Sequence, residues 1–368
     1  LDFRIKNFLD KGEKTGVGQT LVDVDYKKAV RQAAEKAGWR TIKTKKNVGK
    51  GMACIFWLSG GWSTSATVNI NEDGTVNLVT GAVDMGTGYL YTSVPQIVAH
   101  ELGIRPQEVH LVLADTDQTT YDHGIGGSRG AFTVGKVAQM AAVKAREELF
   151  AAAAQKLQTS PEQLATQDGW VYIKDDPGAK VSFGEISYDR HIRSGGPVTG
   201  SAGFLPEMDP IDPSRVKGLS FPAFKGNTIG CHMAVVEVKP DTGQIEILKY
   251  VAAHDVGKAI NPTAVEGQIQ GGVCMGIGFA LTEEVHIGDE GQVLNPDFAD
   301  YKVPTALDVP DTQSVIIEEP CAYGPHGAKG LGEPTMGPPA AAIGNAIYDA
   351  VGVRMRSTPM TPEKIKVE

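Results

Sequence analysis

Glycine is the residue that most limits what this chain can fold into, because its 44 copies are grouped rather than scattered. They concentrate in residues 81–88, 124–135, 267–278 and 324–337. A glycine lets the backbone adopt left-handed angles and approach another group closely, and inside a helix it costs about 1 kcal/mol against alanine. Scattered glycines would mean ordinary loops. Four clusters in 368 residues point instead to backbone shaped around one large polar ligand. A chain this long also buries a sizeable core and divides into two or more subdomains.

The stretches between the clusters set the fold class. Ala66–Ile70 and Thr75–Val79 alternate apolar and polar residues around Glu72-Asp73-Gly74, which predicts a hairpin. After the glycine loop, Thr92 or Ser93 can cap a helix from about Pro95 to Leu102. The pattern returns at Ala234–Val238, the turn Pro240–Gly243 and Ile245–Tyr250, then a glycine at 257 and a helix opened by Asn261-Pro262. The expectation is therefore an α+β fold with two similar hairpin–glycine loop–helix units, at 66–103 and 234–281, facing a shared ligand. Chance similarity of two common motifs is the other reading. Residues 1–60 read as an entry segment with its best helix near Tyr26–Ala37. Residues 61–220 form a first subdomain ending in a long irregular connection over 159–225, and 221–368 form a second. A long alanine-rich helix is predicted over Lys136–Leu157.

Composition removes several functions. The 35 basic and 44 acidic residues give −9 with no block of like charge, so neither nucleic acid nor an anionic membrane surface is an expected partner. No apolar run is long enough to span a bilayer, and no signal peptide is recognisable. Cys54, Cys231, Cys274 and Cys321 show no CxxC spacing and the eight histidines no HxxxH pair, so this chain offers no zinc or iron–sulfur ligand set of its own. Reduced thiols suit a cytoplasmic location. The start at Leu1 reads as a piece of something longer or a processed subunit, with a trimmed terminus as the alternative.

Four segments carry candidate chemistry. Gly81–Gly88 precedes a helix, and backbone N–H groups at such a junction can hold an anion. Gly124–Gly130 leads into Gly130–Lys136, which matches the GxxxxGK phosphate loop, but Val137 stands where the magnesium-binding hydroxyl belongs. Ser128 and Arg129 remain donors for a phosphate or polar ring. In the helix from Val265 to Gly278, five glycines make a poor helix unless something approaches the backbone, and Gln268 shares a face with Gly271. Tight helix packing would explain the same glycines. Lys329–Pro334 holds one carboxylate, Glu333, between glycine and proline, a setting that presents an acid or base to a reacting atom. A solvated turn fits that pattern too.

Together these segments resemble the molybdenum-cofactor-binding subunit of the xanthine dehydrogenase and aldehyde oxidoreductase family. The matching strings are VDMGTG at 83–88, GGSRGAFTVG at 126–135, DVGKAINPTAVEGQIQGG at 255–272 and KGLGEP at 329–334, with Thr358–Ile365 closing the chain in the family's manner. Only the C-terminal half of the usual subunit is covered, as in enzymes of the nicotinate dehydrogenase group whose molybdenum subunit is split.

The resemblance implies a hydroxylase whose metal is carried by a pterin dithiolene, so the protein donates no metal ligand. Glu333 matches the family's base. It would deprotonate a hydroxo group on the metal, which attacks an electron-poor carbon while hydride passes to a sulfido or selenido ligand; burial in a dry pocket would strengthen that base. Gln268 matches the cofactor-contacting glutamine, and Met85, Gly86, Thr87, Gly88, Gly127 and Ser128 fall in the other cofactor loops. Thr87 replaces a more frequent glutamine. Lys258 is placed to meet a phosphate. The implied cofactor is molybdopterin in its cytosine dinucleotide form, and the implied partners are an N-terminal molybdopterin-binding half, a [2Fe–2S] subunit and an FAD subunit. Substrates implied are aromatic N-heterocycles such as nicotinate or purines. Aldehyde oxidation, or removal of a hydroxyl from a hydroxybenzoyl-CoA thioester, are alternatives, and Trp57 and Trp62 offer faces for a ring. A non-catalytic scaffold or assembly subunit is the competing reading.

Overall fold

In the computed structural model, residues 1–42, 45–210, 214 and 223–365 are described. In chain order the elements are α1 (Asp2–Asn7), α2 (Tyr26–Ala37), β1 (Val48–Leu58), β2 (Thr64–Ile70), β3 (Val76–Thr80), α3 (Ser93–Leu102) and β4 (Val109–Leu113). Next come α4 (Gly135–Leu157), β5 (Leu164–Gln167), β6 (Trp170–Ile173), β7 (Asp176–Ser182), α5 (Phe183–Asp189), β8 (Val198–Phe204), β9 (Met208–Asp209) and β10 (Ala223–Phe224). The chain finishes with β11 (Asn227–Val238), β12 (Ile245–Asp255), α6 (Pro262–Leu281), β13 (Thr312–Ile317) and α7 (Pro338–Val351).

Two four-stranded sheets organise these elements, with orders β4-β3-β2-β8 and β1-β11-β12-β13. In each, an antiparallel hairpin occupies the middle, β2–β3 or β11–β12. The chain then crosses through a helix to a parallel strand, β4 beside β3 and β13 beside β12. An antiparallel strand closes the other side, β8 on β2 and β1 on β11.

Burial follows the residue pattern. In β2 and β3 every second residue is buried, and that face meets α3 and α4 in one core. In contrast, β11 is buried throughout except at Glu237, because helices cover both faces of its sheet. One face packs on α6 and α7, the other on α2. Helix α2 starts where the Asp25 carboxylate accepts from the Lys28 N–H at 2.8 Å and stops at left-handed Gly38. A Cβ at Gly51 of β1 would lie 2.0 Å from the Ala342 carbonyl oxygen, so α7 lies against β1 only because that residue is glycine.

Several expectations change. The entry segment is part of the second sheet: β1 pairs along its whole length with β11, and α2 covers β11 and β12. Residues 159–210 are not irregular, because β5, β6 and β7 form a three-stranded sheet followed by α5 and β8. The boundary placed at 220/221 lies outside the described residues. Thr92 stands at the N-cap of α3, but its hydroxyl donates to the Gly88 carbonyl at 2.8 Å instead of capping. Among the described residues no helix is long and apolar enough to cross a membrane.

Candidate active site

The loop carrying Glu333 is fixed from below by a buried ion pair. Lys329 Nζ lies 2.6 Å from Asp255 Oδ2, with both side chains fully buried, and it also donates to the Asp23 carbonyl. Asp255 Oδ1 accepts from the Gly257 and Glu319 N–H groups at 3.0 and 3.2 Å. Burial pushes the Asp255 carboxyl above its ordinary range, and Lys329 opposes that shift. One residue on, Gly330 donates its N–H to Ser59 Oγ at 2.9 Å. A Cβ at Gly330 would stand 1.8 Å from the Ser128 carbonyl oxygen, so glycine there is what lets the loops around 128 and 330 touch.

That contact delivers Glu333 to its partners. Its N–H donates to Ser128 Oγ at 2.9 Å, and Ser128 Oγ in turn donates to Glu333 Oε2 at 2.7 Å. The indole Nε1 of Trp57, at the end of β1, donates to the same Oε2 at 3.2 Å. Glu333 is exposed in this chain, which corrects the expectation of a dry pocket around it. Ser128 sits at φ 54°, a left-handed angle unusual for a residue with a Cβ, and is spoken for by Glu333 rather than left as a donor for phosphate.

Arg129 is not a ligand donor either. Its side chain is 1% exposed, like that of its partner Asp122, whose oxygens accept from Nη1 at 3.0 and 3.1 Å. Further bonds to the carbonyls of Gly124 and Trp62 make it the clamp of the 122–130 loop. Residues 130–134 form a wide helical turn that runs into α4, so the GxxxxGK string is helix and not a phosphate loop. Gly127 packs on the Gly60 carbonyl oxygen, where a Cβ would come within 2.6 Å.

The first glycine loop also differs from expectation. The N–H groups of Gly86 and Gly88 both donate to Asp84 Oδ1, at 2.7 and 3.1 Å, so an internal carboxylate occupies the two amides expected to meet an anion. Thr87 Oγ1, in contrast, is buried with no hydrogen-bond partner. The glycines of α6 divide by role. Cβ atoms at Gly272 and Gly276 would collide with Thr335 and Pro339, while those at Gly267 and Gly271 would enter open space.

These segments enclose a cavity of about 570 Å³ lined by Met85, Gly86, Thr87, Ser128, Lys258, Gln268 and Glu333. Gly88 and Gly127, named with them from the sequence, support the loops behind the wall instead. The first turn of α6, capped by Asn261 Oδ1 on the Ala264 N–H at 3.2 Å, forms another part of the wall. Lys258 is paired, its Nζ 2.9 Å from Glu318 Oε1. Trp62 is half exposed and meets His123 edge-on. Sequence reasoning missed Trp57 as a Glu333 partner, Ser59, Asp84 and the Lys329–Asp255 pair. The last two residues stood inside the quoted strings, but nothing local to either string announces their pairing.

The molybdopterin cofactor-binding domain family matches residues 19–310. A putative xanthine dehydrogenase molybdenum-binding subunit of Escherichia coli is 32% identical over 330 residues, covering 87% of this chain and 42% of that protein. The nicotine 6-hydroxylase large subunit of Paenarthrobacter nicotinovorans is 31% identical over 361 residues, covering 93% and 42%. Quinoline 2-oxidoreductase from Pseudomonas putida 86 superposes with a TM-score of 0.84 at 27% identity, over 99% of this chain and 48% of that one. The chain thus spans about 42% of the length of these curated relatives.

Proposed function

The chain belongs to the molybdopterin cofactor-binding family that includes the molybdenum-binding subunits of xanthine dehydrogenase and aldehyde oxidoreductase, and from this premise we propose that it is the catalytic molybdopterin-binding portion of a molybdenum hydroxylase. The observation that carries the reading is Glu333 on the wall of the glycine-edged cavity, gripped by one oxygen only.

The residues present fit the cofactor. The cavity offers a buried hydroxyl without a partner at Thr87 and open space beside Gly267 and Gly271, where a flat heterocycle can lie against backbone. The Gln268 amide has no partner among the described residues and stands on the same wall. Gln268, Thr87, Met85 and Gly86 are read as the groups that hold the pterin. Ser128 acts beside it through Glu333, with Gly88 and Gly127 fixing the loops. Lys258 and the N-terminus of α6 attract the anionic tail, taken to be the cytosine dinucleotide form, provided Lys258 leaves Glu318. When bound, the pterin-carried molybdenum supplies transfer of a water-derived oxygen and takes up two electrons. Glu333 supplies the base, taking a proton at a carboxylate oxygen.

The two hairpin–glycine loop–helix units are read as the centres of two similar subdomains that face this cofactor from two sides, with β1 and α2 of the entry segment belonging to the second. An N-terminal molybdopterin-binding half would complete the pocket and exclude water from Glu333. The [2Fe–2S] and FAD centres would sit on further partner chains in a cytoplasmic hetero-oligomer. An aromatic N-heterocycle resembling nicotinate or a purine is the proposed substrate, ahead of an aldehyde or a hydroxybenzoyl-CoA thioester.

The test is Glu333→Gln in the complex purified through this chain. Turnover of nicotinate, hypoxanthine and benzaldehyde with a dye acceptor should fall roughly 10²- to 10⁴-fold, the range of a general base, while molybdenum and pterin stay bound. A complex without molybdenum or pterin would favour the scaffold reading.

A further inference from the structure

We propose that Trp57 and Ser128 are positioning residues that hold Glu333 by Oε2 and thereby reserve Oε1 as the oxygen that accepts the proton. The inference rests on the reading of Glu333 as the base. Its physical ground is that a glutamate has three side-chain torsions, and an exposed one samples many rotamers unless something restrains it. Here two donors from separate parts of the fold converge on one oxygen, Ser128 Oγ at 2.7 Å and Trp57 Nε1 at 3.2 Å. Among the described residues Oε1 accepts no hydrogen bond.

The two donors restrain different things. Ser128 Oγ also accepts the Glu333 N–H at 2.9 Å, so a single hydroxyl ties the backbone and the carboxylate of the same residue. Trp57 comes from the rigid side of the site. It is paired with Thr228 across the β1–β11 ladder, one residue before β1 ends at Leu58. The left-handed angle of Ser128 is part of the arrangement, because the adjoining Gly127 is fixed against Gly60 and the Ser128 carbonyl against Gly330. The side chain therefore has a defined direction before any ligand arrives, which is the condition for an efficient base.

Trp57→Phe keeps the ring and removes the N–H. Ser128→Gly removes the hydroxyl and accepts the left-handed angle. In the purified complex each should lower kcat roughly ten- to hundredfold, the scale of one hydrogen bond to a charged group, with KM changed less than about twofold and molybdenum and pterin content unchanged. In a Glu333→Gln background neither should lower kcat further, because both act through Glu333. A second readout needs no turnover. With ¹⁵N-indole tryptophan in the 368-residue chain, which has four tryptophans, the N–H resonance absent from Trp57→Phe should shift in Glu333→Gln. If Glu333→Gln abolishes turnover but Trp57→Phe and Ser128→Gly leave kcat intact, the positioning role is wrong and the base assignment stands. If Glu333→Gln turns over normally, the base assignment fails and this role fails with it. An indole resonance that does not move overturns the contact itself.

Discussion

At the residue scale, the site depends on a pair that does no chemistry. Lys329 and Asp255 are fully buried and bonded at 2.6 Å, and between them they join the Glu333 loop to the end of β12. Removing one partner strands a buried charge, at a cost of about 3–5 kcal/mol. Lys329→Met is therefore expected to lose that much stability in urea denaturation at pH 8. The sign with pH follows from burial, which already raises the Asp255 carboxyl in the intact pair. A raised carboxyl binds its proton more tightly in the folded than in the unfolded chain, so lowering the pH relieves the penalty. The deficit of the variant should be smaller at pH 5 than at pH 8. An equal deficit at both would mean that Asp255 is not the stranded group. At this scale the convergence of Glu333, Gln268 and Met85–Thr87 on one cavity was legible, since they stand in short strings with distinctive glycine spacing. Trp57 was not, because its bond to Glu333 joins residues 276 positions apart. Nor was the capture of two loop amides by Asp84, since GxG strings look alike whether an internal carboxylate or a ligand takes the amides.

At the element scale, the β11–β12 hairpin carries its own titration. His232 on β11 and His254 on β12 meet Nε2 to Nε2 at 2.6 Å, and His232 Nδ1 lies 2.9 Å from the Tyr250 hydroxyl, all within the core. Burial holds both imidazoles well below the ordinary range, His254 to about 3. The unfolded chain takes up these protons as pH falls below about 6.5, whereas the folded chain refuses them. Stability is thus full above pH 6.5 and drains as pH drops towards 3, by up to about 1.4 kcal/mol per pH unit for each histidine. Urea titrations at pH 7, 6 and 5 should show that slope, and His254→Gln should flatten it. The hairpins themselves were readable because alternation coincides with turn residues, Asp73-Gly74 in the first and Pro240–Gly243 in the second. The same signal was present and overlooked at Asp168-Gly169, where left-handed angles of 50° and 76° join β5 to β6. Its strands are only four residues long, too short for alternation to show.

At the scale of the whole molecule, the linear partition was the part least open to sequence reasoning. A strand near the start, β1, becomes the edge of a sheet whose other members follow residue 226, because an antiparallel partner is chosen by burial and not by proximity in the chain. The consequence is functional: that strand brings Trp57 to a loop near the other end. The proposed cofactor should leave a footprint on the same assembled surface. Met85, Met275 and Met336 line the cavity and are 65%, 58% and 39% exposed in this chain. Met208 is 41% exposed and lies outside the lining, which makes it an internal control. Mild peroxide converts accessible thioethers to sulfoxides. In the chain free of cofactor all four should oxidise at comparable rates. In the molybdenum-loaded complex the three cavity methionines should be protected while Met208 continues to react, as mass spectrometry of tryptic peptides would record. Protection that also extends to Met208 would point to general burial by a partner. Oxidation of all four at unchanged rates would mean that nothing fills the cavity, and the proposed site would have to be sought elsewhere on the molecule.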